Sequence, residues 1–323
     1  MSHRILTLGL LLASSHAFAA PPLLSPKNLA ALLEQPQVRV IDIRDARSFA
    51  ANHIVNAVNA PYAQWRGPAS NPGELPPQEQ LVALVQQLGL TPDTHAVVVS
   101  TGKDATDFGA SARVYWTLKS LGLTELSIVN GGMQAWEAAK LPQTQAVTVI
   151  APSSYAPTFD TRWLATREQV VQHVQQQDAL LLDSRPAAFF QGNTQAPAAK
   201  AAGTLPGAQN FDFNQWFNPG SSAFNQSSAA QVTSKIQLPS SAPGADLPQP
   251  TVAFCNTGHW AATEWFAISE VAGQPNTKLY AGSMVDWTQA PQALPLQNAP
   301  SRGEQLRRMF HKAMDGLFKG KAV

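Results

Sequence analysis

An ordered series of markers occurs twice in this 323-residue chain, at a spacing of about 150 residues, and a duplication on that scale constrains architecture more than any single motif. In the first half, Val38-Arg39-Val40-Ile41-Asp42-Ile43-Arg44 reads as a buried strand ending in Asp-x-Arg, and Ala179-Leu180-Leu181-Leu182-Asp183-Ser184-Arg185 repeats it. Ala57-Val58-Asn59-Ala60 before Trp65 has its counterpart in Gly207-Ala208-Gln209-Asn210 before Trp216. The apolar run His95 to Ser100 matches Pro250 to Cys255, so Ser100 takes the place of the cysteine. Helical stretches Ala110 to Gly122 and Ala261 to Gly273 each end at glycine, as a helix C-terminus does. Gly131-Gly132-Met133-Gln134-Ala135-Trp136 pairs with Gly282-Ser283-Met284-Val285-Asp286-Trp287, each followed by Leu-Pro.

Short apolar strands alternating with helical segments predict parallel βαβ units. The expected fold class is α/β, with two tandem domains, each an open parallel sheet with helices on both faces. They are placed at 20–145 and 161–300, with a linker at 146–160 inside the Pro-, Thr- and Ser-rich stretch Leu141 to Thr161. Trp136 and Trp287 are expected to plug equivalent core gaps. Asp42 with Arg44, and Asp183 with Arg185, are expected to be structural ion pairs bracing the sheets. Residues 218–250 form a long connection that the sequence leaves open as a lid or an inert insertion.

Residues 1–19 read as an export signal: Arg4, the apolar run Ile5 to Ala13, then Ala17-Phe18-Ala19 as a small-x-small cleavage pattern. The expected location is therefore the periplasm. A formal charge of +1 gives no global electrostatic case for a nucleic-acid or membrane partner. The exception is the tail, 301–323. There Leu306, Met309, Phe310, Ala313 and Leu317 recur at helical spacing, beside six basic residues and only Glu304 and Asp315 as acids. That basic amphipathic segment suits docking on its own domain, a protein partner or a membrane surface.

Cys255 is the chain's single cysteine, so no internal disulfide can form. Such a thiol is either buried and inert or kept for chemistry. Its setting favours the second reading: it follows the apolar run Thr251-Val252-Ala253-Phe254 and precedes the loop Asn256-Thr257-Gly258-His259-Trp260 and a helix beginning near Ala261. Ligands in open α/β sheets bind beyond the carboxyl ends of strands, and a helix N-terminus there favours an ionised thiol. Amides from Asn256 to Ala261 are expected to point inward around the sulfur, with Gly258 giving the backbone its freedom. His259 is expected to add positive charge, to donate a hydrogen bond or to be a surface histidine without a role, and Trp260 to pack at the mouth.

This set of markers, with the cysteine only in the second copy, closely resembles the two-domain rhodanese sulfurtransferases. The resemblance implies an inactive first domain, a catalytic second domain, and transfer of a sulfane sulfur from an anionic donor, thiosulfate or 3-mercaptopyruvate, to a thiol or cyanide through a Cys255 persulfide. It implies no metal and no organic cofactor. Thr257 matches the loop position where mercaptopyruvate enzymes carry a hydroxyl, whereas Phe189 stands where they place an arginine, leaving Lys200 or Arg66 as the candidate substrate anchor. In the first half the loop Thr101 to Gly109 is expected to be four residues longer than Asn256 to Trp260. The alternative reading is a non-catalytic persulfide carrier. Phosphatases of the same fold class need an arginine six residues after the cysteine, and Ala261 stands there.

Overall fold

The computed structural model describes residues 20–240, 246–301 and 303–304. Residues 1–19, expected to be an export signal, and nearly all of the tail lie outside the described residues.

Each half builds its own parallel sheet, and the strand order is the same in both. In the first, Leu23–Leu24, Leu126–Val129, His95–Val99, Val38–Asp42 and Val58–Asn59 lie side by side; in the second, Thr277–Leu279, Thr251–Phe254, Leu180–Asp183 and Gln209–Asn210 do. Registers repeat as well, since Asp42 lies opposite Val99 and Asp183 opposite Phe254. Even the extra edge strand has an echo in the bridge between Leu164 and Leu279. The apolar runs need burial on two faces, and helices supply it on both.

Small polar devices recur at equivalent sites. The Asn59 amide donates to the carbonyls of Asp42 and Arg44, and the Asn210 amide to those of Asp183 and Arg185. The true counterparts are thus Asn59 and Asn210, one place off the register that the sequence pattern suggests. Indole N–H groups of Trp136 and Trp287 donate to Pro142 and Pro295, each at 3.0 Å, so both buried tryptophans plug matching gaps beneath a Leu-Pro turn. Arg44 grips Asp42, and Arg185 grips Asp183, with shortest contacts of 2.6 Å and all four residues buried.

The long first-half helix departs from expectation. It spans Ala105–Ser120, because the Asp104 carboxylate caps it by accepting the Asp107 amide. The four extra residues therefore lengthen a helix instead of a loop. Its counterpart, Trp260–Trp265, widens into a π-helical stretch at Phe266–Val271.

These two helices pack against each other, fusing the halves across one apolar seam. Phe108 of the first half meets Phe217, Phe224 and Phe266 of the second at 5.5, 5.5 and 5.6 Å between ring centres. Each aromatic buried this way contributes roughly 1.5–3 kcal/mol, so the seam is a core and not a loose contact. The part of the 218–250 connection around Phe224 belongs to this seam. Phe224 is buried there, its amide and carbonyl clamped by the Asn130 side chain at 2.7 and 2.9 Å.

Candidate active site

Cys255 directly follows the strand Thr251–Phe254 and is 1% exposed. It nevertheless forms part of the wall of a cavity of about 230 Å³, together with Arg66, Thr106, Asn256, Thr257, His259 and Trp260. Two of these, Arg66 and Thr106, come from the first half. A cavity of this size holds a small substrate and a few waters.

The loop after Cys255 is ordered through its carbonyls. Those of Cys255 and Asn256 accept the amides of Met284 and Val285 at 3.1 and 3.0 Å. The Thr257 carbonyl accepts from the Arg66 guanidinium at 2.9 Å and the Gly258 carbonyl from Arg113 at 3.3 Å, both across the seam. The His259 carbonyl accepts the Ala262 amide. A trans peptide holds its N–H antiparallel to its C=O. With five carbonyls in succession engaged by other groups, the amide of each following residue points away from those partners.

One of these amides, that of Gly258, is spent on the Ser283 hydroxyl at 3.0 Å, and the same oxygen accepts the Cys255 amide at 3.0 Å. The expectation that every amide from Asn256 to Ala261 faces the sulfur is corrected at this position. Among the described residues, the amides of Asn256, Thr257, His259, Trp260 and Ala261 donate to no protein acceptor. They are available to an anion at the cavity floor.

Two backbone conformations make the curl possible. Gly258 has φ of +63°, and a Cβ there would stand 2.3 Å from the Ala281 carbonyl oxygen. Ser283 has φ of +54°, unusual for a residue with a side chain. Its first-half counterpart is Gly132, also left-handed at +57°.

His259 does not add positive charge. Its pKa is lowered to about 4, first by burial and then by the Arg66 charge, so the ring is neutral at ordinary pH. Its Nε2 lies 2.7 Å from the Thr106 carbonyl, which can only accept, so Nε2 carries the proton and Nδ1 accepts from the Tyr62 hydroxyl at 2.8 Å. Arg66 in turn donates to that hydroxyl at 2.6 Å. Arg66, Tyr62, His259 and Thr106 thus form one directed chain from the first half, through the loop, and back.

Of the two anchor candidates, the structure brings Arg66 to the cavity and leaves Lys200 away from it. Lys200 is exposed, and its backbone amide donates to Thr288. Asn256 links the loop to the brace below, its side-chain oxygen accepting from Arg185 at 3.3 Å. Trp260 stacks on Phe213 at 5.0 Å, meets Phe189 edge-on at 5.8 Å and donates to the Thr106 hydroxyl at 3.3 Å. Ala261 is buried in the first helical turn and is not part of the cavity wall. Sequence reasoning missed Tyr62, Thr106, Arg113 and Ser283. Only Ser283 carried a local signal, as a serine facing a glycine in the repeat.

The arrangement offers a thiol in a cavity wall next to loop amides that have no protein acceptor, bounded by aromatic groups and one guanidinium. Residues 25–139 and 166–290 each match the family described as rhodanese-like domain. A thiosulfate sulfurtransferase of Pseudomonas aeruginosa is 28% identical over 273 residues, covering 84% of this chain and 95% of the relative. A probable 3-mercaptopyruvate sulfurtransferase of the same organism is 30% identical over 289 residues, covering 83% of this chain and 95% of the relative. Among solved structures, SseA from Escherichia coli, described as a 3-mercaptopyruvate sulfotransferase with the rhodanese fold, superimposes with a TM-score of 0.67 at 21% identity, over 82% of this chain and 99% of its own.

Proposed function

The chain belongs to the rhodanese-like family, with the domain present twice, and from that premise we propose that it is a sulfurtransferase whose nucleophile and sulfur carrier is Cys255. The Cys255 thiolate attacks the outer sulfur of a donor such as thiosulfate. A bond from Sγ to that sulfur forms, the donor S–S bond breaks, and sulfite leaves with the electron pair. The resulting persulfide anion is attacked at its terminal sulfur by cyanide or a thiolate, which takes the sulfur and returns the Cys255 thiolate. Charge is conserved in both steps, and each half-reaction starts and ends with an anion at the same place, so ping-pong kinetics are expected.

The observation that supports this reading is the run of engaged carbonyls from Cys255 to His259, which leaves most of the following amides without a protein acceptor beside a cavity that Cys255 lines. Incubation with thiosulfate or 3-mercaptopyruvate should add one sulfur atom to the intact mass, and Cys255→Ser should add none while keeping its fold. Turnover should then follow with cyanide or a small thiol. Sulfur loading without turnover would instead point to the carrier reading, and no loading from either donor would overturn both.

We also place the protein in the periplasm, on the strength of the Arg4, Ile5 to Ala13 and Ala17-Phe18-Ala19 pattern. The Ala20 nitrogen lies 2.8 Å from a Glu125 carboxylate oxygen, so an amino terminus created there would gain an ion pair. Cell fractionation with N-terminal mass analysis tests this; a cytoplasmic chain retaining residues 1–19 would refute it.

A further inference from the structure

Arg113 is fully buried in the half that has no thiol, and among the described residues no carboxylate lies within ion-pair distance of it. Its guanidinium donates to the Gly258 carbonyl at 3.3 Å and the Gly73 carbonyl at 2.9 Å, and it sits 5.1 Å from the Trp116 ring centre. Its Nε has no partner. A buried cation without a counter-ion is costly, and carbonyl contacts alone do not repay that cost. A negative group facing it would offset that cost. The charged and titratable groups around it are Arg66 and Tyr62 from the turn at Tyr62–Trp65 and its C-cap, and Cys255 from the loop across the seam. Burial raises the Tyr62 pKa, which keeps that hydroxyl neutral. His259 beside them is neutral as well, and Arg185 below the loop is already matched by Asp183. That leaves the loop after Cys255, whose Gly258 carbonyl Arg113 holds, and a thiolate or persulfide at Cys255 is the anion that sulfur chemistry would place there.

We propose, building on the assignment of Cys255 as the sulfur-bearing nucleophile, that Arg113 is a positioning residue that supplies the buried counter-charge for its thiolate and persulfide. It acts from the other domain and through the Gly258 peptide: by holding that carbonyl it points the His259 amide away from the guanidinium. The thiol-free half is then an electrostatic component of the site as well as its wall. Burial first, and then the neighbouring Arg66, lower the Arg113 pKa to about 9 against smaller raising effects of Tyr62 and Cys255, so the guanidinium is still charged at neutral pH.

Because Cys255 is the only cysteine, its alkylation by iodoacetamide in the full chain reads its ionisation with no sulfur donor present, and the test stands whether or not sulfur transfer is the activity. Arg113→Met should raise the pH midpoint of alkylation by about one unit, roughly a tenfold loss of thiolate at a given pH. Arg113→Lys should restore most of it. A purely structural strut would lower the urea midpoint of both variants and leave the alkylation midpoint unmoved, and that result would overturn the proposal. Should Arg113→Met not fold, the ¹⁵N signals of the Arg113 guanidinium in the unmodified chain should shift through the Cys255 midpoint and stay flat in Cys255→Ser. A flat response in the unmodified chain would equally overturn it.

Discussion

Arg113 and Glu264 lie on the two helices that meet at the seam, both fully buried and opposite in charge, yet no ion pair joins them. Arg113 reaches across to the catalytic loop, whereas Glu264 turns back into its own half, where it accepts the Trp216 indole N–H at 3.1 Å. The two buried charges thus serve different places, Arg113 the Gly258 and Gly73 carbonyls and Glu264 the Trp216 indole.

Burial raises the Glu264 pKa from 4.5 to about 8, opposed by the Trp216 bond and assisted by Asp212. The folded chain thus holds this proton more tightly than the unfolded one does. Its contribution to stability is complete below pH 4.5 and is lost as pH rises through about 8. Glu264→Gln keeps an acceptor for Trp216 and cannot ionise. Urea unfolding should show the variant more stable than the parent at alkaline pH, by about 1 kcal/mol or more, with the two converging in mild acid. Parallel pH profiles for parent and variant would show that Glu264 is charged in the fold.

His259 carries the opposite dependence. Its folded pKa of about 4 lies below its ordinary value of 6.5, so stability from the neutral ring is present above pH 6.5 and is lost as pH falls toward 4. His259→Gln should blunt the acid-induced fall in thermal midpoint. It should also leave the rate of sulfur loading without any new step near pH 6.5. Loss of a rate step near that pH in the variant would mean that the imidazole titrates during turnover.

The repeat was legible because its signals are local: Asp-x-Arg at a strand end, glycine at a helix end and tryptophan before Leu-Pro are all read within a few residues. The helix start at Ala105 was locally encoded too, by Asp104 three residues before Asp107, but Gly109 inside the helix masked it. The seam was not legible. Tyr62 and His259 are 197 positions apart, and nothing near either residue foretells their contact. For the same reason the sequence could not choose between Arg66 and Lys200. Both are cations near motifs, and only tertiary packing brings Arg66 to the Thr257 carbonyl.

Ser283 is the local strut of the loop, its hydroxyl accepting two buried amides while donating to the Tyr280 carbonyl at 2.8 Å. Ser283→Gly preserves the left-handed backbone and deletes only the hydroxymethyl group, as at Gly132 in the other half. Each buried amide left without an acceptor costs about 1–3 kcal/mol. The variant should lose that order of stability in urea and load sulfur at least about tenfold more slowly in single-turnover mass measurements. Unchanged loading would mean that Arg66 and Arg113 suffice to hold the loop.

Phe189 sets the electrostatic character of the mouth. It packs edge-on against Trp260 and lies 5.8 Å from the Arg185 guanidinium, whose charge Asp183 already takes up. Arg66 is then the one cationic side chain in the cavity wall among the described residues, and its terminal nitrogens are engaged by Tyr62 and Thr257. A donor carboxylate entering past Trp260 meets aromatic surface where a fork of N–H donors would clamp it. Phe189→Arg should therefore raise kcat/KM for 3-mercaptopyruvate relative to thiosulfate by about tenfold, worth roughly 1.4 kcal/mol of transition-state binding. Phe189→Leu, which adds no charge, should leave that ratio near the parental value. A comparable shift in the leucine variant would locate the effect in mouth width, and an unchanged ratio in the arginine variant would show that the donor carboxylate binds elsewhere on the wall.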